Sequence, residues 1–189
     1  MIKNVYQSEA DTGKLFAFLI PLYFLFVCTD LYTTWLASPD FKYESNYLIK
    51  YFKPGWGEVI LFASLWTIIL SIMFVVFSKR IVFILSSHKD INIEKNELIK
   101  KILPGFLITG IFFSHLFTSV FVTINNLLNY IYLYKKDSLF TNAAIMYVKL
   151  QTLFYPYYYI FTQILLIISG FMFAGVRIRK ICKRLQQVD

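Results

Sequence analysis

Cysteine is nearly absent from this 189-residue sequence: Cys28 and Cys182 are the only two, and no CxxC pair occurs. Disulfide scaffolds, dithiol redox centres and zinc ribbons are excluded on that count. The two cysteines also fall near opposite ends of apolar runs, on opposite sides of any membrane those runs cross, so they cannot pair within one chain. Histidine is as scarce: His88 and His115 are too few for a dedicated histidine metal site. Neither a G-x-S-x-G elbow nor an H-E-x-x-H helix is present. Ser114 and His115 are neighbours, but adjacent helical residues point about 100° apart. An intramembrane aspartate dyad would need a second buried Asp, and no apolar run supplies one beside Asp30. No internal repeat, linker or low-complexity tract interrupts the chain. These absences call for no cofactor and no metal.

Apolar residues are in excess: 58% of the chain is hydrophobic and 20% aromatic. Soluble domains run at about 45–50% apolar. Four apolar runs absorb the surplus, at about 15–35, 58–77, 102–128 and 154–176. Each is long enough to cross a hydrocarbon core of about 30 Å. The expected fold is therefore an all-α membrane protein of four transmembrane helices. One membrane domain covers 1–189, with a basic C-terminal tail at 177–189. Pro21 lies in the first half of span one, where it can bend the helix. Pro104-Gly105 opens span three and Pro156 stands near the start of span four, positions where a missing N–H has no intrahelical partner anyway. Gly170-x3-Ala174 on span four is a small-xxx-small packing signal.

Charge sets the expected orientation. The net charge is +8, and its distribution suits a membrane flank better than direct nucleic-acid binding. Thirteen of the 19 Lys and Arg fall in the N-terminal tail, the second loop and the C-terminal tail. By the positive-inside rule both termini are cytoplasmic, in a bacterial inner membrane. Met1–Lys14 reads as a short cytoplasmic tail without a cleavable signal, since the first apolar run is too long for a signal core and no A-x-A site follows. Trp35, Tyr51 and Trp56, with Tyr130, Tyr132, Tyr134 and Tyr155 to Tyr159, mark the outer boundary as aromatic belts. Two outer loops read as short interfacial helices. In one, Tyr47, Leu48, Tyr51 and Phe52 form an apolar face beside Lys50 and Lys53. In the other, Phe140, Ala143, Ala144 and Tyr147 recur at i, i+3, i+4, i+7. Asp90–Lys101 reads as a short polar helix with Asp90 as N-cap. Arg177, Arg179, Lys180, Lys183 and Arg184 are the expected contact for anionic lipid or a cytoplasmic protein partner.

Candidate site residues gather around Asp30. On a helix Asp30, Thr33 and Thr34 share one face, and a carboxylate inside a span is a site hypothesis by default. Asn125 and Asn126 on span three stand at matching depth. Ser114, Thr118, Asn125 and Asn129 lie within about 60° of one another on a helical projection, and His115, Ser119 and Asn126 form the adjoining stripe. Such an arc should face the protein interior. Thr67 and Ser71 on span two and Gln163 on span four are candidates to close it, with Glu44 and Glu58 near an acidic outer mouth. The expectation is a pocket or path between spans one and three that binds a small ligand or cation. The alternative for each residue is helix packing alone: Asp30 bonded to Asn126 or Tyr32, hydroxyls bonded to their own backbone, and Glu58 favoured by the start of span two.

Asp30-x2-Thr33-Thr34 followed by Glu44-x-Asn46 resembles a pattern in a family of small bacterial and archaeal membrane proteins, the DUF5658-type domain. That family has Asp and Thr late in the first span and Glu-x-Asn-Pro in the next loop. Here Tyr47 replaces the Pro and the usual loop Gly is missing. The resemblance covers about the first quarter of the chain and implies a four-span fold without an activity. In size, span count and composition the chain also resembles the four-span accessory proteins encoded beside Cas13b-type CRISPR effectors, with no shared motif. Three readings stay open. The first is a non-enzymatic membrane accessory or regulatory protein that self-associates. The second is a defence-associated membrane effector or modulator working with a cytoplasmic partner. The third is an intramembrane enzyme.

Overall fold

The computed structural model describes residues 2–41, 51–87, 95–135, 138–155 and 157–186. Among these, the regular elements are five α-helices: α1 (Ile2–Ala37), α2 (Trp56–Ser87), α3 (Lys95–Tyr134), α4 (Thr141–Leu153) and α5 (Tyr158–Gln186). Four are long and apolar enough to cross a membrane, over Thr12–Ala37, Trp56–Leu85, Glu97–Tyr134 and Tyr158–Lys183. Only 11% to 39% of the most apolar window of each is buried within the protein. The remaining apolar surface faces outward, which water penalises and lipid accommodates. By helix length and composition the chain is a multi-pass membrane protein. The helical form itself follows from the solvent: in hydrocarbon every backbone N–H and C=O must find its partner within the segment.

The helices outrun the apolar stretches that announce them. α1 begins at Ile2, so most of the expected N-terminal tail is helical. α3 begins at Lys95, which makes Pro104 its tenth residue instead of a first-turn proline. The ring there removes the amide that would reach the Lys100 carbonyl. Residues 95–101 of the expected separate polar helix are the opening turns of α3, where Lys100 pairs with Glu97 at 3.0 Å; Asp90 lies outside the described residues. Span four starts at Tyr158 and not at 154, because Phe154 caps α4: its N–H reaches Leu150 O at 3.3 Å, and Tyr158 N–H returns to Phe154 O at 3.0 Å. α1 stops before Pro39, whose ring disfavours helical geometry in the preceding residue. Phe41 then turns the chain with a left-handed φ of 57°.

Contacts divide the chain into two compact units. Each of the four long helices contributes residues to both. The first unit takes Met1–Leu22, Ile68–His115 and Leu166–Asp189. Its centre is a layer of phenylalanines. Phe74 stacks on Phe112 at 3.9 Å between centroids, and Phe16 and Phe113 meet Phe74 edge-on at 5.3 and 5.8 Å. Phe173 packs on Phe113 at 4.8 Å. Farther along, Ile81, Val82, Leu85 and Ile181 form an aliphatic cluster with Leu98, Ile102, Ile178 and Cys182 around it. α3 and α5 approach closely at Gly170, where an added Cβ would stand 2.7 Å from the Ser114 Cα. Ala174, one turn on, is fully buried.

The second unit takes Tyr23–Thr67 and Leu116–Leu165. Tyr23 is fully buried. Trp56 donates its indole N–H to the Pro39 carbonyl at 2.7 Å and stacks on Phe41 at 4.4 Å. On α4, Ala144 is fully buried and Tyr147 is half-buried, whereas Ala143 and the preceding Phe140 are exposed. In the first outer loop Tyr51 and Phe52 are exposed and meet edge-to-face at 5.1 Å; Tyr47, Leu48 and Lys50 lie outside the described residues.

The Gly170 contact yields a test. Gly170→Ala forces a methyl against Ser114 main chain and is expected to cost about 1–3 kcal/mol. Gly175→Ala, whose added Cβ meets nothing nearer than Phe106 at 4.0 Å, is expected to be neutral. Thermal denaturation of both variants in detergent checks this, and equal midpoints would contradict the close approach.

Candidate functional site

The polar residues of the second unit converge on Asn125. This residue of α3 is buried to 2% exposure. Its amide nitrogen donates to Asn126 Oδ1 and to the Tyr159 hydroxyl, each at 3.2 Å. Its oxygen accepts from the Tyr147 hydroxyl at 2.7 Å and from Gln151 Nε2 at 2.6 Å. A primary amide has two N–H donors and two lone pairs, and all four are engaged. Tyr158 extends the group by donating to the Tyr147 hydroxyl at 3.1 Å. Side chains from α3, α4 and α5 thus meet at one amide.

Asn126 carries the network to α1. Its Nδ2 donates to Thr34 Oγ1 at 2.7 Å, and Thr34 in turn donates to Asp30 Oδ1 at 3.3 Å. Asp30 and Asn126, the two groups of matching depth, are therefore joined through the Thr34 hydroxyl. The i, i+4 spacing on α1 makes the Thr34–Asp30 step possible. Thr33, one residue earlier, is buried and returns its hydroxyl to the Asp30 carbonyl at 3.1 Å.

A cavity of about 310 Å³ lies against this network. Thr34, Ser38, Asn125, Asn126, Asn129 and Tyr159 form its polar wall, and Ala37, Leu133 and Val148 part of its apolar wall. The volume falls at the lower end of the range for small-molecule pockets. Its wall offers hydrogen bonds of both senses and no formal charge; Asp30 stands one hydrogen bond behind Thr34. Tyr147 is raised above the ordinary phenol value of 10.0, chiefly by burial and then by its Tyr158 neighbour, so it remains a neutral donor to Asn125.

The other expected site residues go elsewhere. Ser114 is part of the first unit and donates to the carbonyls of Gly110 at 2.8 Å and Ile167 at 3.2 Å, which makes it a helix-packing hydroxyl. It stands eleven residues before Asn125, about 16 Å along a helix at 1.5 Å per residue, so a shared helical face does not make a shared cavity. His115 is half-buried in the first unit, while Thr118 and Gln163 are half-buried in the second, and none of the three lines the cavity. Thr67 bonds its own backbone at Ala63 O, 2.7 Å away. Ser71 is buried in the first unit with an unpartnered hydroxyl. Glu58 is exposed in the first turn of α2, and Glu44 lies outside the described residues. Arg179, Lys180 and Lys183 are exposed, whereas Arg177 is turned inward against the Phe16 and Phe74 rings; the side chain of Arg184 lies outside the described set.

Gln151, the donor role of Tyr147 and the acceptor role of Tyr159 escape sequence reasoning. A signal did exist: Tyr147 and Gln151 are i, i+4 on one face of α4, a polar pair on a short helix beside two buried amides. No protein-family model, curated protein or solved structure matches the chain.

Two outcomes follow from the network. Asn125→Leu leaves four polar groups facing an apolar side chain and is expected to cost about 2–4 kcal/mol. Asn129→Ala, at the cavity wall only, should stay within about 1 kcal/mol. Chemical denaturation in detergent separates the two. The second outcome concerns pH. Tyr147 has a higher pKa folded than unfolded, so its stabilisation is fully present below pH 10.0 and is lost as pH rises through the folded value. Tyr147→Phe should flatten the alkaline fall in stability, and superimposable alkaline limbs would reject the assignment.

Proposed function

We propose that this protein is a non-enzymatic membrane accessory or regulatory protein whose cavity beside Asn125 and Asn126 binds a small polar ligand or a cation. The observation that carries the reading is the relay from an intraspan carboxylate to the cavity wall: Asp30 to Thr34 to Asn126. A carboxylate within a span is costly and marks a ligand, ion or proton site by default. Here the charge lies behind the wall, and the polar groups a ligand meets are neutral amides and hydroxyls. That arrangement favours a weakly held polar molecule or a partly hydrated cation.

The expected placement is a bacterial inner membrane with both termini cytoplasmic, supported by the excess of Lys and Arg on the terminal and second-loop side. α4 fits an interfacial helix: Leu139, Phe140, Met146 and Leu153 beside or on it are exposed and apolar. The exposed Arg179, Lys180 and Lys183 at the end of α5 fit a headgroup contact or an acidic cytoplasmic partner. The outward apolar faces suit lipid or a second copy of the chain. Engagement of the Ser114 hydroxyl by two carbonyls supports the non-enzymatic reading.

Reconstitution into liposomes tests the cavity as a path. Wild-type protein is expected to pass a small monovalent cation, with flux several-fold lower in Asp30→Asn and in Asn126→Ala. Unchanged flux in Asp30→Asn would remove the carboxylate from the path, and no flux in wild type would remove the path.

A further inference from the structure

Beneath the phenylalanine layer of the first unit lies a second, polar layer. α2 and α5 run antiparallel to α3 there, since Phe74 meets Phe112, Ile81 meets Gly105, and Gly170 meets Ser114. Ser78 follows Phe74 by four residues, Arg177 follows Phe173 by four, and Thr109 precedes Phe113 by four. One turn in those directions brings all three to one level. Thr12, four residues before Phe16 and also buried, takes the same position on α1.

The cation in this layer is incompletely matched. Arg177 Nη1 donates to Ser78 Oγ at 3.1 Å. Its guanidinium stands 4.9 Å from the centre of the Phe74 ring and 5.5 Å from that of Phe16. Ring faces attract the cation but accept none of its in-plane hydrogen bonds. Nη2 is buried with no partner, and so is the hydroxyl of Thr109, a residue only 1% exposed. Two orphaned groups able to donate thus share a level with a permanent positive charge. Among the described residues no carboxylate pairs with Arg177; a buried charge without a counter-ion is strongly unfavourable, and Nη2 and the Thr109 hydroxyl both lack an acceptor.

We propose that Arg177, Ser78 and Thr109 form an interhelical anion site for a phosphate group, either free inorganic phosphate or the headgroup phosphate of an anionic lipid. A tetrahedral oxyanion takes the free edge of the guanidinium and the Thr109 hydroxyl together, and the planar fork of arginine suits two oxygens of one phosphate. The ring layer closes the site on one side. This site is separate from the cavity beside Asn125 and stands or falls independently of it.

The test uses the full chain purified in detergent, titrated with inorganic phosphate by calorimetry, and in parallel reconstituted into vesicles of phosphatidylcholine with or without phosphatidylglycerol. Binding in detergent identifies free phosphate; stabilisation by phosphatidylglycerol vesicles alone identifies the headgroup. Either signal should weaken about tenfold or more in Arg177→Gln and several-fold in Thr109→Val, a near-isosteric change that keeps the fold. Lys180→Gln should leave it intact. Absence of both signals, or a signal that survives in Thr109→Val and Arg177→Gln while disappearing in Lys180→Gln, overturns the site.

Discussion

The second unit depends on satisfying one buried amide. Asn125 is only 2% exposed, and each of its four hydrogen-bonding positions is met by a side chain from α3, α4 or α5. In a protein whose outer surface suits lipid, unmet polar groups are expensive and met ones define geometry. The Asn125 hub orients Asn126, Asn126 orients Thr34, and Thr34 holds one oxygen of Asp30. The cavity is bounded by the same atoms, so its shape follows from the hydrogen bonds.

The first unit uses different physics for a similar end. Its centre is stacked and edge-on phenylalanine rings, and its helices approach closely where Gly170 lacks a side chain. There the polar groups are few and incompletely matched, the opposite of the Asn125 hub. Arg177 illustrates how little a residue's neighbours in sequence say about its surroundings. It opens a run of basic residues whose other described members are exposed, yet its own guanidinium lies over two aromatic faces. Part of the difference is angular: Arg177 lies beside the stripe of α5 that carries the buried Ala174 and Ile181, whereas Arg179 projects from the opposite side.

Helical projection placed Asn125, Asn126 and Asn129 together, and they do share the cavity wall. The same projection placed Ser114 and Thr118 with them, and these lie elsewhere, because projection discards distance along the axis. The i, i+3, i+4, i+7 spacing of Phe140, Ala143, Ala144 and Tyr147 marked a short helix, and α4 stands there. Helix ends were less legible: the helices continue past the apolar run, since backbone hydrogen bonding does not stop at a change of polarity.

Composition and hydrophobic run length by themselves determined that this chain forms long apolar helices suited to a membrane, because in hydrocarbon a segment must satisfy its own backbone and few shapes do so. They also singled out Asp30 and the paired amides, since polar atoms in such a segment stand out against their surroundings. Which polar groups meet, which hydroxyl stands between Asp30 and Asn126, that a short helix supplies Tyr147 and Gln151, and that Arg177 turns inward were decided by tertiary packing alone. Those contacts join residues up to about a hundred positions apart, and their geometry depends on how far each helix slides and rotates against its neighbours, quantities that no local pattern encodes.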